Sequence, residues 1–219
     1  MLIAALPILV ELFTSEGCSS CPPADKVLAQ LHERQPLPGV PLLVLSEHVD
    51  YWNDLGWSDP FSDPLFSERQ RLYGGRSYTP QVVVDGRVDV LGSDEEGILF
   101  AARAAAREPH GIVQIAQIVQ FAQSPVKVAV RGLPPHASAQ VMLAAVEDGL
   151  VSKVQRGENE GRTLAHTAVV RALRAIGEIP AGSSEWSGEA QLDSSWKRLR
   201  LVVFVQERKS RKVLAAAAP

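Results

Sequence analysis

The hydrophobic pattern changes period along the chain. Ile8–Phe13 is a short apolar run ending in the turn signal Thr14-Ser15-Glu16-Gly17, and reads as a strand. Pro22-Pro23-Ala24-Asp25 then opens a stretch in which Val27, Leu28 and Leu31 recur at helical spacing, with Pro36 and Pro38 as its stop. Pro41–Ser46 is apolar on both strand faces, the signature of a buried strand in a parallel sheet. Glu47 to Gly75 is a long aromatic connection with a helix over Ser67–Tyr73. Val82–Val84 and Val88–Leu91 flank Asp85-Gly86, a strong hairpin signal, because both turn residues need positive φ. Ser93-Asp94 caps a helix running to about Arg107, with Pro109 beyond it. From Ile112 onward the period is two: Ile112–Phe121, Val126–Val130, Ala139–Val146 and Leu199–Val205 alternate, with turn residues between them. His166–Ile176 fits a strand or a helical face equally well.

Composition narrows the class. With 219 residues, 46% hydrophobic and 21% charged, the chain is neither disordered nor fibrous, and it is long enough to bury a core without staples. No apolar run reaches the roughly 18 residues of a membrane-spanning helix. A net charge of −3 gives no footprint for nucleic acid. Residues 1–109 carry 8 basic against 16 acidic side chains, and residues 110–219 carry 14 against 9. The shifts in period and charge coincide near Glu108–Gly111 and divide the chain into an α/β domain, 1–109, and an all-β sandwich domain, 110–219.

The chemistry concentrates at Cys18-Ser19-Ser20-Cys21, where the first strand meets the first helix. A thiolate at a helix N-terminus meets unpaired N–H groups and the positive end of the dipole, which lowers its pKa. The spacing lets Cys21 resolve a mixed disulfide formed on Cys18. Cys18 is expected to be exposed near the N-cap, and Cys21 buried inside the first turn. His48 and Asp50 follow the second strand at its carboxyl end, where open α/β sheets place ligands, and could share a face. Trp52 and Trp57 either wall a groove or pack the loop onto its sheet. Glu158, Asn159, Glu160 and His166 read as turn residues. Lys197, Arg198 and Arg200, with Arg208, Lys209, Arg211 and Lys212, read as solvated turn charge.

Thr79-Pro80 before the third strand, the C-x-x-C at the first helix and the element order β-α-β-α-β-β-α resemble the thioredoxin fold. The segments Val10–Asp25, His48–Trp52, Leu55-Gly56-Trp57, Tyr78–Gln81, Gly157–Asn159 and Gly161–Leu164 are similar to a bacterial family of thioredoxin-like proteins of unknown function, DUF1223. The resemblance implies Cys18 as attacking thiol, Cys21 as resolving thiol and Pro80 as a cis-proline. Two departures stand out: Gly17 replaces the tryptophan that thioredoxins place before the first cysteine, and the nearest strand acid is Glu11.

The expected function is therefore thiol–disulfide exchange on a protein or small-molecule substrate. An extended substrate would pair with the backbone at Thr79, with His48, Asp50 and Trp52 beside it; no cofactor or metal is expected. Two alternatives stay open. One is a Cu or Zn module on Cys18 and Cys21, with His48 as the best-placed additional ligand. The other is a non-catalytic adaptor with a structural disulfide. Residues 1–7 are too short for a signal peptide and lack a basic start, so the reading is a trimmed exported protein, as the family resemblance implies, or a cytoplasmic one.

Overall fold

A computed structural model describes residues 6–116, 125–192 and 199–219. Residues 1–5, the end of the strand expected over Ile112–Phe121, and the basic pair Lys197-Arg198 lie outside the described residues.

The first half follows the hydrophobic pattern closely. β1 (Ile8–Thr14) leads into α1 (Cys21–Arg34), then β2 (Leu42–His48), α2 (Pro64–Leu72), β3 (Gln81–Val84), β4 (Val88–Leu91) and α3 (Glu95–Ala105). α2 starts earlier than the periodicity indicates. Asp63 accepts a hydrogen bond from the Leu65 N–H at 2.8 Å, and Pro64 occupies a first-turn position that needs no donor. Asp94 caps α3 in the same way, accepting from the Gly97 N–H at 2.9 Å.

The second half contributes β5 (Ile112–Ala116), β6 (Val126–Arg131), β7 (Ala139–Glu147), β8 (Leu150–Lys153), β9 (Thr163–His166), β10 (Val169–Ile179), β11 (Trp186–Ala190), β12 (Arg200–Glu207) and β13 (Val213–Ala217). The ambiguous segment is thus two strands. β10 has register shifts between Val170 and Ala172 and between Ala175 and Gly177, which break the period of two and imitate helical spacing. At Gly177 the Trp186 indole lies so close that a Cβ would stand 2.1 Å from its ring.

The strand pairing overturns the expected fold class, an α/β thioredoxin-like domain followed by an all-β sandwich. The protein is mostly β-strand, with three short α-helices among the described residues. One mixed eight-stranded sheet, β13-β12-β7-β10-β2-β1-β3-β4, takes strands from both halves; β11-β6-β5 and β8-β9 form two small sheets. The junction is β2, parallel to β1 on one side and to β10 on the other, with Val169 opposite Ser46. A second joint is the hydrogen bond from the Ser46 N–H to Ala168 O, 2.8 Å.

α1 lies on the face of β1 that carries Thr14, whereas α2 meets the opposite face through Glu11. β11-β6-β5 covers a second core formed by Val141, Leu143, Val203 and Val205 of the large sheet. The sheet curls until the β12–β13 hairpin meets the β3–β4 turn, where the Val213 N–H donates to Asp85 O at 3.1 Å. Gly86 sits in this contact with φ +70°, and a Cβ there would stand 1.9 Å from the Arg211 carbonyl oxygen. Gly86→Ala is expected to lower stability by about 2–4 kcal/mol, combining overpacking with a left-handed backbone. Urea unfolding would measure this, and a loss below half a kcal/mol would contradict the closure.

Candidate functional site

β1 is buried throughout and delivers its carboxyl end into a tight turn. The Cys18 N–H donates to Ser15 O and the Cys21 N–H to Cys18 O, both at 3.2 Å. Gly17 packs beside Trp52, whose Cβ would lie 3.1 Å from a Cβ added at that position. This is the structural reason a small residue stands before the first cysteine. Cys18 and Cys21 form a disulfide across the start of α1.

The expected exposure of Cys18 is corrected. It precedes the N-cap residue, Ser20, by two positions, and only 1% of it is accessible. The cover is the loop between β8 and β9, from the other half of the chain. Asn159, fully buried, donates from Nδ2 to Glu16 O and Cys18 O, each at 2.9 Å. Glu158 Oε2 accepts from the Ser19 N–H at 2.9 Å.

Behind the turn lies a buried cluster of ionisable groups. His48, at the end of β2, donates from Nδ1 to Asp59 Oδ2 at 2.7 Å. His166, at the end of β9, donates from Nε2 to Glu16 Oε1 at 2.8 Å. The two imidazoles meet edge to face with centroids 4.9 Å apart, and Phe61 packs against both. Asp59 Oδ2 also accepts the Glu16 N–H at 2.8 Å, tying the pairs together. Glu16 further accepts from Trp57 Nε1 at 2.8 Å and from the Ser152 hydroxyl. Asp25, one helical turn after Cys21, accepts from the Thr14 hydroxyl at 2.8 Å.

The electrostatics follow from this packing. Burial pushes the Asp25 carboxyl above its ordinary range, and the pull of His48 and His166 does not reverse it. Burial pulls His48 down, but Asp59, with Asp25 and Glu16 behind it, overcomes this and holds the imidazole above its usual pKa. Asp59 is held low: burial raises it, and His48 with the backbone N–H groups of Glu16 and Phe61 outweighs that. Among the described residues, His48 Nε2 and His166 Nδ1 are buried without a hydrogen-bond partner.

The other expected residues divide around this site. His48 is in it, but its partner is Asp59 rather than Asp50. Asp50 instead faces α2, where it accepts from the Ser67 hydroxyl. Trp52 donates from Nε1 to the Thr79 hydroxyl at 2.8 Å, and the Thr79–Pro80 bond is cis. Pro80 lies close to α1: a Cβ on Gly92 would touch both Pro80 and Ala24. Glu11 is on the opposite face, paired with Arg69. Trp57 packs its loop and also serves the site, through Glu16. Glu16, Asp25, Asp59, Asn159 and His166 were missed as site residues. His166 comes beside His48 because β9 runs directly into β10, the strand paired with β2, and no motif flags it. Among the described residues no group of three or more His, Cys, Asp or Glu side chains is arranged to hold a metal ion. Nor does any helix there have the length and apolarity to cross a membrane.

Fold and site together define a β-rich protein with a buried C-x-x-C disulfide clasped between the two halves of its chain. The chain belongs to the DUF1223 family, described as proteins of unknown function, whose family model matches residues 9–206. It is similar to a protein of Agrobacterium tumefaciens solved by X-ray crystallography, with 26% identity and a TM-score of 0.78, over 96% of this chain and 92% of that one. No curated protein matches it.

Proposed function

We propose that the protein carries out thiol–disulfide exchange through Cys18 and Cys21, with a protein or small-molecule thiol or disulfide as substrate. The observation that carries this reading is a disulfide spanning three residues at a strand-to-helix junction, set beside buried ionisable groups. A staple earns its place by closing a long loop. In the chain-entropy model one this short restrains the unfolded chain by only about 2 kcal/mol. Its position at a helix N-terminus instead favours the thiolate that exchange requires. Cys18 is the sulfur attacked from outside and Cys21 the resolving thiol, with Thr79 and Pro80 as the neighbouring edge for an extended substrate and Trp52, which donates to the Thr79 hydroxyl, beside it. An exported setting, where disulfides persist, suits this chemistry.

One observation favours the second reading, a binding protein with an inert disulfide: the burial of Cys18. The reduction potential separates the two. A value between about −120 and −270 mV in glutathione or dithiothreitol buffers is expected for exchange, and one below about −300 mV marks a structural bond.

The cover itself is testable. Asn159→Ala removes both hydrogen bonds from the β8–β9 loop to the cysteine turn. Each such bond is worth about 1 kcal/mol, so reduction of the disulfide by dithiothreitol is expected to accelerate by about tenfold or more. An unchanged rate would mean that the loop does not limit access.

A further inference from the structure

We infer that the exposed face of α3 is a self-association surface, on which a second copy of this chain docks its own α3 antiparallel, the two Phe100 rings meeting at the two-fold axis. This holds whether or not the cysteines exchange. Phe100 is 74% exposed, the highest value of any large apolar side chain among the described residues. A single exposed phenylalanine needs no explanation by itself. What marks this one is its setting. Glu96, Phe100, Arg103 and Ala104 are all exposed and follow one another at helical spacing, so they form one stripe along α3. Ile98, Ala101 and Ala102 hold the opposite face in the core.

Phe100 borders an open groove of about 660 Å³, lined also by Asp94, Glu96, Gly97, Leu99 and Arg103. Gly97 and Ala104 bring little side chain to either side of the ring, which leaves a hole for a knob from a facing helix. Glu96 and Arg103 flank Phe100 with opposite charge, about 10 Å apart along the helix axis. Neither side chain has an ion-pair or hydrogen-bond partner among the described residues. β4, the end strand of the large sheet, also exposes Val88, on the face that Val90 turns toward Gly97.

Charge selects the occupant, because the stripe reversed is its own complement. With Phe100 on the axis, an antiparallel copy lays Gly97 opposite the partner's Arg103, which brings each Glu96 beside that same arginine. The contact is made twice, once on each side of the axis. Antiparallel docking also sets the two helix dipoles against each other favourably, whereas parallel docking would align them and oppose like charges. Phe100, desolvated at the centre, supplies the affinity, and the two ion pairs at the rim fix register and orientation. An eleven-residue helix is only about 16 Å long, so the contact belongs with the weak class that buries under about 1,200 Å². A dissociation constant of about 10–100 µM is expected.

The test is sedimentation velocity of the full chain from about 1 to 500 µM, a range that brackets that constant. The 23.7 kDa chain is expected to give way to a species of twice its mass as concentration rises. Phe100→Glu is expected to weaken the dimer by about 30-fold or more, the loss of a central aromatic anchor, while its urea midpoint stays near wild type because the side chain is exposed. Glu96→Arg sets cation against cation across the axis, and Arg103→Glu sets anion against anion. Each alone should weaken the dimer by about tenfold, and a 1:1 mixture of the two variants should recover it, since one now faces the other with opposite charge. A wild-type chain still monomeric at about 500 µM overturns the inference. So does a dimer that Phe100→Glu leaves intact, which would place the interface elsewhere. A mixture that associates no better than its components overturns the antiparallel docking, and it decides the matter alone if Phe100→Glu does not fold.

Discussion

Arg69→Met is expected to lower stability by about 3–5 kcal/mol, the cost of stranding a buried charge. Arg69 reaches from α2 to the sheet face opposite the disulfide and is only 6% exposed. It donates from Nε to Glu11 at 2.6 Å, from Nη2 to the Tyr73 hydroxyl at 2.8 Å and from Nη1 to Gln206 at 3.2 Å, and lies 3.4 Å from Glu47. Its guanidinium also stacks on Tyr73 and Phe204. Methionine fills much of the same volume but leaves Glu11 and Glu47, both fully buried, without a cation. Because the buried Glu11 charge would then have no cation beside it, the loss should deepen as pH rises, and Arg69→Met/Glu11→Gln should recover part of it. Urea titrations at pH 5 and pH 8 measure both effects. A loss under 1 kcal/mol at pH 8 would show the network to be dispensable.

Glu47 gives this network a pH dependence of its own. Burial and then the charge of Glu11 raise its carboxyl well above the ordinary value, against the pull of Arg69. The folded state therefore holds a proton that the unfolded chain releases once pH passes the ordinary Glu range. Stability falls as pH rises from there toward the folded pKa. Glu47→Gln removes that loss: the variant should melt higher than wild type at pH 7, by about 2–4 °C for each kcal/mol recovered, and match it near pH 4.

The second large effect is expected at Glu16, where Glu16→Ala should cost about 3–5 kcal/mol. Its carboxylate accepts from Trp57, Ser152 and His166, which belong to the long loop, β8 and β9. One side chain thus collects donors from both halves of the chain behind the disulfide. Alanine leaves the buried His166 and the half-buried Trp57 and Ser152 without that acceptor. Glu16→Gln keeps the shape and one oxygen, and should cost less than Glu16→Ala. Reduction of the disulfide should accelerate in the alanine variant, because the turn that carries Cys18 loses its anchor. If Glu16→Ala unfolds at wild-type urea concentration, the donors find partners elsewhere and the clasp is not held at this point.

The elements of residues 8–105 were legible because each is written locally. A proline pair opens α1, Asp-Gly turns the β3–β4 hairpin, and Asp94 caps α3. The C-x-x-C motif and the Thr79-Pro80 step could likewise be read directly. Strand β2 even carried a clue to the larger sheet. An apolar run buried on both faces belongs inside a sheet, and the edge it would have formed in a separate domain was taken by β10. That pairing could not be read, because backbone hydrogen bonds between distant strands leave no residue-specific mark, and bulges in β10 blurred its period.

The same limit governs the site. Sequence by itself determined the cysteine pair and its place at a strand-to-helix junction. Only the tertiary structure decided that Asp59 rather than Asp50 holds His48, that His166 joins it, and that Asn159 covers Cys18. Those contacts join residues from 11 to 141 positions apart and their chemistry exists only once the sheet is assembled. Until then Glu16, Asp59 and His166 are ordinary polar residues of turns and strand ends; burial in a shared volume is what couples their charges.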